Sequence, residues 1–187
     1  MLSVIIPTRD SDRQLVPTLA ALVPGATAGL IREVLIADPG SRDETAAVAE
    51  IAGCTFLSLA EPLGRRLKTA AAQARAPWLL FLRPGTVLDT PWTGEAQRFL
   101  QQPSAQIRAA VFRRGGMAQP ALREALSALA AALFPRPRPE QGLIIAKALY
   151  QEIGGHSERA VDPEAELIRR LGRRRVVTLV TSAFHAG

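Results

Sequence analysis

The sequence has little of three things that would each define a class of protein: cysteine, aromatic residues and long apolar runs. Cys54 is the single cysteine in 187 residues, so an internal disulfide framework and a multi-cysteine metal cluster are excluded, and a lone thiol fits a reducing compartment. The apolar run that opens the chain follows no basic segment and stops at Pro7, unlike a signal peptide or a membrane span. These absences predict a cytoplasmic protein with no transmembrane segment.

Charge is unbalanced in the positive direction. The chain has 23 Lys and Arg against 17 Asp and Glu, which gives a formal net charge of +6. Such an excess permits nucleic acid, anionic lipid or phosphorylated small molecules as partners. Aromatic residues make up only 5% of the chain and are not interleaved with the arginines, which argues against a platform for single-stranded nucleic acid. We therefore expect no nucleic-acid partner, whereas peripheral contact with a membrane stays open.

Strand-like and helix-like patterns alternate along the first half of the chain. Apolar runs predict strands over 2–6, 33–37, 54–59 and 78–82. Apolar residues at helical spacing predict a first helix that ends at Pro24-Gly25, and further helices over 43–52 and 63–76. This alternation predicts a single doubly wound, mostly parallel α/β sheet with helices on both faces.

The second half is less regular. Its predicted helices are 91–100, 121–134, 149–153 and 163–171, and its predicted strands are 107–112, 142–146 and 175–180. The proline-rich stretch 135–139 is too short for a domain linker and is predicted to be a loop. The helix over 121–134 is a candidate for burial against a second copy of the chain.

Ligands of doubly wound sheets bind outside the carboxyl ends of the strands. The residues that follow the first, second and fourth predicted strands are therefore the candidates for a site. They are 7–10, 38–43 and 83–86.

Six stretches, in this order along the chain, carry a resemblance to a known family. They are SVIIPTRD (3–10), EVLIADPGSRDET (33–45), GRRLKTAAAQARAPWLLFL (64–82), PEQGLIIAKALYQEIGG (139–155), AVDPEAELIRRLGRRR (160–175) and TSAF (181–184). The chain resembles inverting glycosyltransferases of family 2, which have the Rossmann-like GT-A fold, and most closely the short bacterial branch of transferases associated with radical-SAM and selenodomain proteins. Each motif is degenerate, and their joint order carries the signal.

The resemblance implies a metal ligand that this sequence lacks. In the family an Asp-x-Asp or His-Ala-Asp turn follows the fourth strand, and its last carboxylate holds the divalent ion that bridges the donor's diphosphate. Here the turn reads Arg83-Pro84-Gly85, with glycine in the place of that carboxylate. A divalent cation (Mg²⁺ or Mn²⁺) as cofactor is therefore implied by the family but has lost its usual ligand.

Two interpretations of this turn stay open. In one, Arg83 binds the diphosphate directly, together with Arg65, Arg66 and Lys68 of the preceding helix, because guanidinium groups match phosphate oxygens and offset leaving-group charge. In the other, the site has decayed and Arg83 is a solvated turn residue.

The resemblance assigns further positions to the donor nucleotide. Pro7, Thr8 and Arg9 end the first strand, where the family binds its nucleotide sugar, and Asp38 stands where the family's aspartate contacts the base. The alternative for Asp38 is an Asx turn leading into Gly40.

A carboxylate is needed to take the proton of the acceptor hydroxyl. The family's base aligns with Glu164, and Asp162 is a competing candidate, although Asp162 before a proline is also a standard helix N-cap. For His156 and His185 a structural or exposed role is the expectation.

The resemblance implies an inverting, nucleotide-sugar-dependent glycosyltransferase with altered or absent metal dependence. Residues 1–89 would form the nucleotide-binding half and residues 90–187 the acceptor-side half of one domain, with a nucleoside-diphosphate sugar as donor and an unidentified acceptor. The alternative is a catalytically inactive nucleotide-binding or scaffold protein that retains the fold, which the departures at Pro39, Gly85 and Pro163 favour.

Overall fold

The structure, a computed structural model, describes residues 1–115 and 137–185. The helix predicted over 121–134 lies outside these residues, so its burial against a second copy stays a prediction. No helix in the described ranges is long and apolar enough to cross a membrane.

Strands and helices alternate along the described chain, as the hydrophobic patterns predict. The strands are β1 (Leu2–Pro7), β2 (Ile31–Asp38), β3 (Thr55–Ser58), β4 (Trp78–Phe81), β5 (Thr86–Leu88), β6 (Ala109–Arg114), β7 (Leu143–Ala146) and β8 (Val176–His185). The helices are α1 (Asp12–Thr27), α2 (Thr45–Ile51), α3 (Leu63–Gln73), α4 (Trp92–Leu100), α5 (Lys147–Glu152) and α6 (Pro163–Leu171). A short 3₁₀ turn, Pro139–Gln141, precedes β7.

The eight described strands form one sheet in the order β3-β2-β1-β4-β7-β6-β8-β5. Strands β1, β2, β3 and β4 pair in parallel, and β6 pairs in parallel with β8. Strand β7 runs antiparallel between β4 and β6, and β5 is antiparallel to β8 at the edge. The prediction of a single, mostly parallel sheet is confirmed.

Helices cover both faces of this sheet. Phe81 of β4 packs against Tyr150 of α5, with ring centroids 5.4 Å apart. Register places Phe81 opposite Leu143 and Leu143 opposite Val111, so the next residue of β6, Phe112, points to the other face. There it meets Trp92 of α4, with ring centroids 6.4 Å apart. The central strands are consequently buried on both sides, which explains their continuous apolar runs.

Tertiary contacts extend two elements beyond their predicted limits. The prediction that α1 ends at Pro24-Gly25 is wrong, because the helix continues to Thr27. Gly25 has no side chain to keep α4 away, and a Cβ there would lie 2.6 Å from the Trp92 ring. The Trp92 indole N–H also donates to the carbonyl of Ala21, 3.1 Å away, which fixes the last turns of α1.

The sequence pattern, which predicts a last strand over 175–180, also ends β8 too early. The strand continues to His185 because residues 183–185 pair with β5, a short strand that apolar periodicity does not reveal. The pairing of β6 with β8 shifts register after Val111. The buried carboxylate of Glu95 accepts hydrogen bonds from the backbone N–H groups of Val180 and Thr181, at 2.7 and 2.6 Å, and so satisfies them near this irregularity.

Candidate active site

The carboxyl ends of β1, β2 and β4 meet at one edge of the sheet, because the three strands are neighbours and parallel. The loops that follow β1 and β2 are joined by hydrogen bonds. The backbone N–H of Asp10 donates to the Ser41 hydroxyl (2.8 Å), and the backbone N–H of Arg42 donates to the Asp10 carboxylate (2.9 Å). Asp10 itself adopts φ 47°, a left-handed conformation that aspartate tolerates in turns. These contacts give the edge a fixed backbone frame.

Asp38, at the end of β2, is fully buried and accepts four hydrogen bonds. One carboxylate oxygen accepts from the backbone N–H groups of Gly40 and Ser41, at 2.7 and 2.6 Å, and the other from the Ser41 and Thr8 hydroxyls, both at 2.6 Å. Burial alone raises the pKa of Asp38, but the hydrogen bonds from Ser41, Thr8 and Gly40 outweigh it and hold the pKa below its ordinary value. Asp38 thus forms the Asx turn that the sequence offered as the alternative, and its contact with a base stays a prediction.

The three residues at the end of β1 differ in accessibility. Pro7 and Thr8 are buried, with Thr8 bonded to Asp38, whereas Arg9 is exposed. Arg9 follows β1 and Arg83 follows the neighbouring β4, so both cations lie at the same edge. Of the three, Arg9 is the one whose side chain is free to reach a ligand in solvent.

The cations of α3 separate into one buried and two exposed groups. Arg65 pairs with Glu61 at 3.3 Å and Lys68 pairs with Glu158 at 3.7 Å, and both side chains are about half exposed. Lys68 also lines a polar hollow of about 450 Å³ with Gly155, Ser157 and Arg159 among others.

Arg66, by contrast, is buried beneath the strand ends. Its guanidinium donates to the backbone carbonyls of Thr8 (3.1 Å), Ala37 and Glu61 (3.2 Å), so it ties α3 to the ends of β1 and β2. Burial, and then the nearby charge of Arg9, lowers the pKa of Arg66. The sequence grouped Arg66 with Arg65 and Lys68. The signal that separates it is helical spacing, because Arg66 is four residues before the buried Ala70.

The Arg83 guanidinium is held by three carboxylates from two distant segments. Nε and Nη2 both lie 2.7 Å from Oε2 of Glu164, Nη1 lies 2.9 Å from Oε1 of Glu140, and Nη2 lies 3.6 Å from Oδ1 of Asp162. Burial lowers the pKa of Arg83, but the contacts with Glu164, Glu140 and Asp162 raise it by a larger amount. The pKa therefore lies above its ordinary value, and the group stays charged. The structure brings together Arg83, the candidate diphosphate ligand, and the two competing candidates for the general base, and adds Glu140.

Glu164 and Asp162 have different environments at the start of α6. Asp162 is exposed, and its Oδ1 accepts from the backbone N–H of Ala165 at 3.0 Å, which is the N-cap role. Glu164 is buried, with a side chain 7% exposed. Burial raises the pKa of Glu164 more than the hydrogen bond and charge of Arg83 lower it. Of the two candidates, Glu164 is the buried one with a raised pKa, and a catalytic role for either residue stays a prediction.

Glu140 is the member of this cluster that sequence reasoning did not assign. It lies on the turn Pro139–Gln141, within the stretch that resembles the family's Gly-Asp-Gln segment. The neighbouring Gln141 anchors the turn, because its amide donates to the Phe112 carbonyl (2.7 Å) and its side-chain oxygen accepts from the backbone N–H of Arg138 (2.8 Å). Resemblance in this segment was the one available signal.

The histidines have no part in this cluster. His156 is buried, and its Nδ1 lies 2.9 Å from the Tyr150 hydroxyl. Burial lowers the pKa of His156 to about 3, with a smaller contribution from the charge of Arg170, so the ring is neutral and packs edge-on against Phe81. This is the structural role expected of it. His185 is exposed at the end of β8.

The residues around Arg83 do not fit the divalent cation of the family. Gly85 adopts φ 85° and its backbone N–H donates to the Gln14 carbonyl at 2.9 Å, so the turn is closed by backbone contacts and offers no side-chain ligand. The nearby carboxylates bind the guanidinium. In the described part of the chain, no group of three His, Cys, Asp or Glu side chains is placed to hold a metal ion.

Comparisons with known proteins were informative at the level of structure alone. No protein-family model and no curated protein matches the sequence. Residues 1–349 of TarS from S. aureus are similar in structure, with a TM-score of 0.73 and 17% identity over 99% of this chain and 60% of that fragment. A mannosyltransferase from Pyrobaculum calidifontis in complex with GDP-Man and Mn²⁺ gives a TM-score of 0.76 and 14% identity over 99% of this chain and 56% of that one.

A third solved structure is the glucosyl-3-phosphoglycerate synthase from Mycobacterium tuberculosis, in complex with Mn²⁺, UDP and glucosyl-3-phosphoglycerate. Its TM-score is 0.69, with 19% identity over 100% of this chain and 72% of that one. This chain spans 60% of that TarS fragment, 36% of the longer TarS structure and 56% of the mannosyltransferase. The agreement over nearly every residue of this chain, together with the sheet order, shows that the chain has the GT-A fold of nucleotide-sugar glycosyltransferases.

Proposed function

We propose that this chain transfers a sugar from a nucleoside-diphosphate donor to an acceptor hydroxyl, with inversion at the anomeric carbon. The observation that carries the proposal is the contact of Arg83 with Glu164 at the carboxyl edge of a GT-A sheet. It puts a permanent cation and a buried carboxylate of raised pKa side by side at the edge where ligands of such sheets bind.

Support for the donor class comes from the structural neighbours. TarS has been solved with UDP-GlcNAc, and the mannosyltransferase holds GDP-Man. In the present chain Arg9 and Arg83 follow adjacent strands, so one diphosphate can lie between them. Guanidinium groups donate paired hydrogen bonds to phosphate oxygens and suit this ligand.

Glu164 is the proposed general base. Its Oε2 accepts from Arg83, while no residue in the described ranges donates to its Oε1. In the proposed reaction Oε1 of Glu164 takes the proton of the acceptor hydroxyl while the acceptor oxygen forms a bond to C1 of the sugar. The bond from C1 to the diphosphate oxygen breaks, and both of its electrons go to that oxygen. The diphosphate leaves, its charge offset by Arg83. Attack opposite the leaving group inverts C1.

The same arrangement supports altered metal dependence. The turn that holds the metal ligand in the family here supplies Arg83, a fixed positive charge, and Gly85, which has no ligand atom. We therefore expect binding of the donor, and its turnover, without added Mn²⁺.

The test combines binding and turnover. Calorimetry with UDP, GDP and dTDP, with and without Mn²⁺, measures binding, and release of free nucleotide from UDP-GlcNAc or GDP-Man measures turnover. Glu164→Gln should abolish turnover and keep nucleotide binding. Glu166→Gln, on the same helix but in a surface pair with Arg170 at 2.7 Å, is the control and should keep both.

Three other outcomes are informative. Equal turnover by Glu164→Gln removes this residue from the mechanism. Nucleotide binding without turnover by the wild-type protein supports the alternative of an inactive nucleotide-binding protein. No binding of any of the three nucleotides overturns the proposed function.

A further inference from the structure

The three carboxylates around Arg83 are not equivalent. The Glu164 side chain is 7% exposed, whereas those of Glu140 and Asp162 are 45% and 49% exposed. A buried ion pair is costly to separate because the remaining charge stays desolvated, but a half-exposed pair exchanges readily with other ligands because water and ions replace the lost partner. The contact of Arg83 with Glu164 is therefore the permanent one.

Glu140 is the exchangeable partner of the guanidinium. Asp162 lies 3.6 Å from Nη2 and its Oδ1 is also engaged as the N-cap of α6, so it contributes mainly charge. Glu140 makes a direct hydrogen bond of 2.9 Å to Nη1. Its turn is held by Gln141, so Glu140 can leave Arg83 without unfolding the segment that carries it.

The Arg83 guanidinium faces three carboxylates, so its immediate surroundings carry a surplus of negative charge. A diphosphate that approaches Arg83 is repelled by the exposed carboxylates. Of the guanidinium nitrogens, Nε and Nη2 contact Glu164, and Nη2 also lies near Asp162. Nη1 contacts Glu140, so it is the nitrogen at which a phosphate oxygen can replace an exposed carboxylate. A phosphate oxygen and a carboxylate oxygen use the same N–H donors with the same geometry. Glu140 and a phosphate group therefore compete for one position.

We propose that Glu140 holds the place of a ligand phosphate oxygen on Nη1 of Arg83, so that Arg83 is a diphosphate subsite which Glu140 closes in the absence of ligand. The proposal rests on the proposed function, because it takes the ligand to be a nucleoside diphosphate. Glu140 would then set nucleotide affinity, although it lies on the turn Pro139–Gln141 and does not follow β1, β2 or β4.

The test measures dissociation constants of UDP, GDP and inorganic pyrophosphate by calorimetry, for the full chain without divalent metal. Glu140→Gln should bind each probe about three- to tenfold more tightly, because it removes one competing charge and keeps the side-chain size. Pyrophosphate has no nucleoside, so it distinguishes an effect on the diphosphate from an effect on the base. Its affinity for Glu140→Gln rises only if Glu140 competes with the phosphates. The gain should also fall as salt concentration rises.

A cycle with Arg83→Ala shows whether the effect passes through the guanidinium. In the Arg83→Ala background, Glu140→Gln should change affinity by less than half of its effect in the wild type. Glu152→Gln, an exposed acid paired with Arg175, is the matched control for a general change in charge and should leave affinity within twofold of the wild type. Equal melting temperatures of the wild type and Glu140→Gln would show that folding is unaffected.

The failures of the two proposals are distinguishable. If wild type binds a nucleotide and Arg83→Ala weakens binding, but Glu140→Gln binds equally or more weakly, the role of Glu140 is overturned and the proposed function stands. If neither wild type nor Glu140→Gln binds any probe, both are overturned. A gain by Glu140→Gln that persists in full without Arg83 overturns the competition and assigns Glu140 a general electrostatic effect.

Discussion

Arg83 and Glu164 are 81 residues apart in the chain, and two nitrogens of the arginine contact one oxygen of the glutamate. Nε and Nη2 of Arg83 both lie 2.7 Å from Oε2 of Glu164. The contact joins the end of β4 to the first turn of α6. It links the two halves in which the sequence placed the nucleotide and the acceptor. The proposed proton acceptor and the charge proposed to stabilise the leaving group are thereby held in one pair.

Removal of Arg83 should expose the cost of the buried carboxylate. Arg83→Ala is expected to lower the free energy of unfolding by about 3 to 5 kcal/mol at pH 8, because Glu164 is left buried without a partner. The loss should be smaller at pH 5, since the pKa of Glu164 is already raised by burial and protonation removes the unpaired charge. Urea denaturation at the two pH values measures both.

Two further variants test this explanation. Arg83→Ala combined with Glu164→Gln should recover most of the stability at pH 8, because no buried charge remains. Arg65→Ala, which removes an exposed pair with Glu61, should cost less than about 1 kcal/mol at either pH. A cost for Arg83→Ala that does not change with pH would show that lost packing, not charge, is responsible.

His156 should make stability depend on pH in the mildly acidic range. Its pKa is lowered from 6.5 to about 3 by burial, so below pH 6.5 the unfolded chain binds a proton that the folded chain does not. The free energy of unfolding should therefore fall as pH falls from 6.5 to 5, by at most about 1.4 kcal/mol per pH unit. This range lies above the ordinary pKa values of the carboxylates, and the raised pKa of Glu164 acts in the opposite direction, because the folded chain binds that proton more readily than the unfolded chain.

The variants His156→Asn and Tyr150→Phe distinguish the source of this slope. The first removes the titrating group and should flatten the slope. The second removes the hydroxyl that bonds to the ring and lowers stability, but it keeps the histidine and therefore the slope. An unchanged slope in His156→Asn would show that another group titrates.

Substitution of Asp38 is expected to lower the stability of the fold, whatever its effect on nucleotide binding. Asp38→Asn places an amide NH₂ among four donors and is expected to lower the free energy of unfolding by about 2 to 3 kcal/mol, while Thr8→Val, which removes one of the four bonds, should cost about 1 kcal/mol. Thermal denaturation with and without UDP measures both effects. Normal stability of Asp38→Asn with lost UDP binding would assign Asp38 to the base.

Gly85 should be required by its backbone conformation. At φ 85° a side chain is strained, so Gly85→Ala is expected to cost about 1 to 2 kcal/mol. Gly94→Ala in α4, where an added Cβ meets nothing within 4 Å, is the matched control and should stabilise the protein by about 0.5 to 1 kcal/mol. If the two variants had equal melting temperatures, conformational strain at Gly85 would be ruled out as its reason.

Replacement of Thr86 by an apolar residue of similar size should stabilise the protein. Its hydroxyl is buried without a hydrogen-bond partner in the described part of the chain, so Thr86→Val is expected to raise the free energy of unfolding by about 1 kcal/mol. Thr181→Val, which removes a buried hydroxyl bonded to Glu95, should instead lower it by about 1 kcal/mol or more. Destabilisation by Thr86→Val would reveal a partner for its hydroxyl.

Local pattern predicted most of the elements, because their cause is local. Continuous apolar runs become the buried parallel strands β1 and β4, and helical spacing of apolar residues becomes α3 and α6. The failures at the end of α1 and in β5 have a tertiary cause. Trp92 and the end of β8 stabilise segments whose own sequence carries no such signal.

The sequence by itself determined the α/β sheet and the positions at its carboxyl edge, because strand period, turn residues and helix caps depend on neighbours in the chain. It could name Arg83 and Glu164 as separate candidates. Only the tertiary structure decided that they form a pair, that Glu140 joins them and that Asp38 uses all four of its acceptor positions. Burial and partners are set by which distant segments meet, and a protonation state follows from burial and partners.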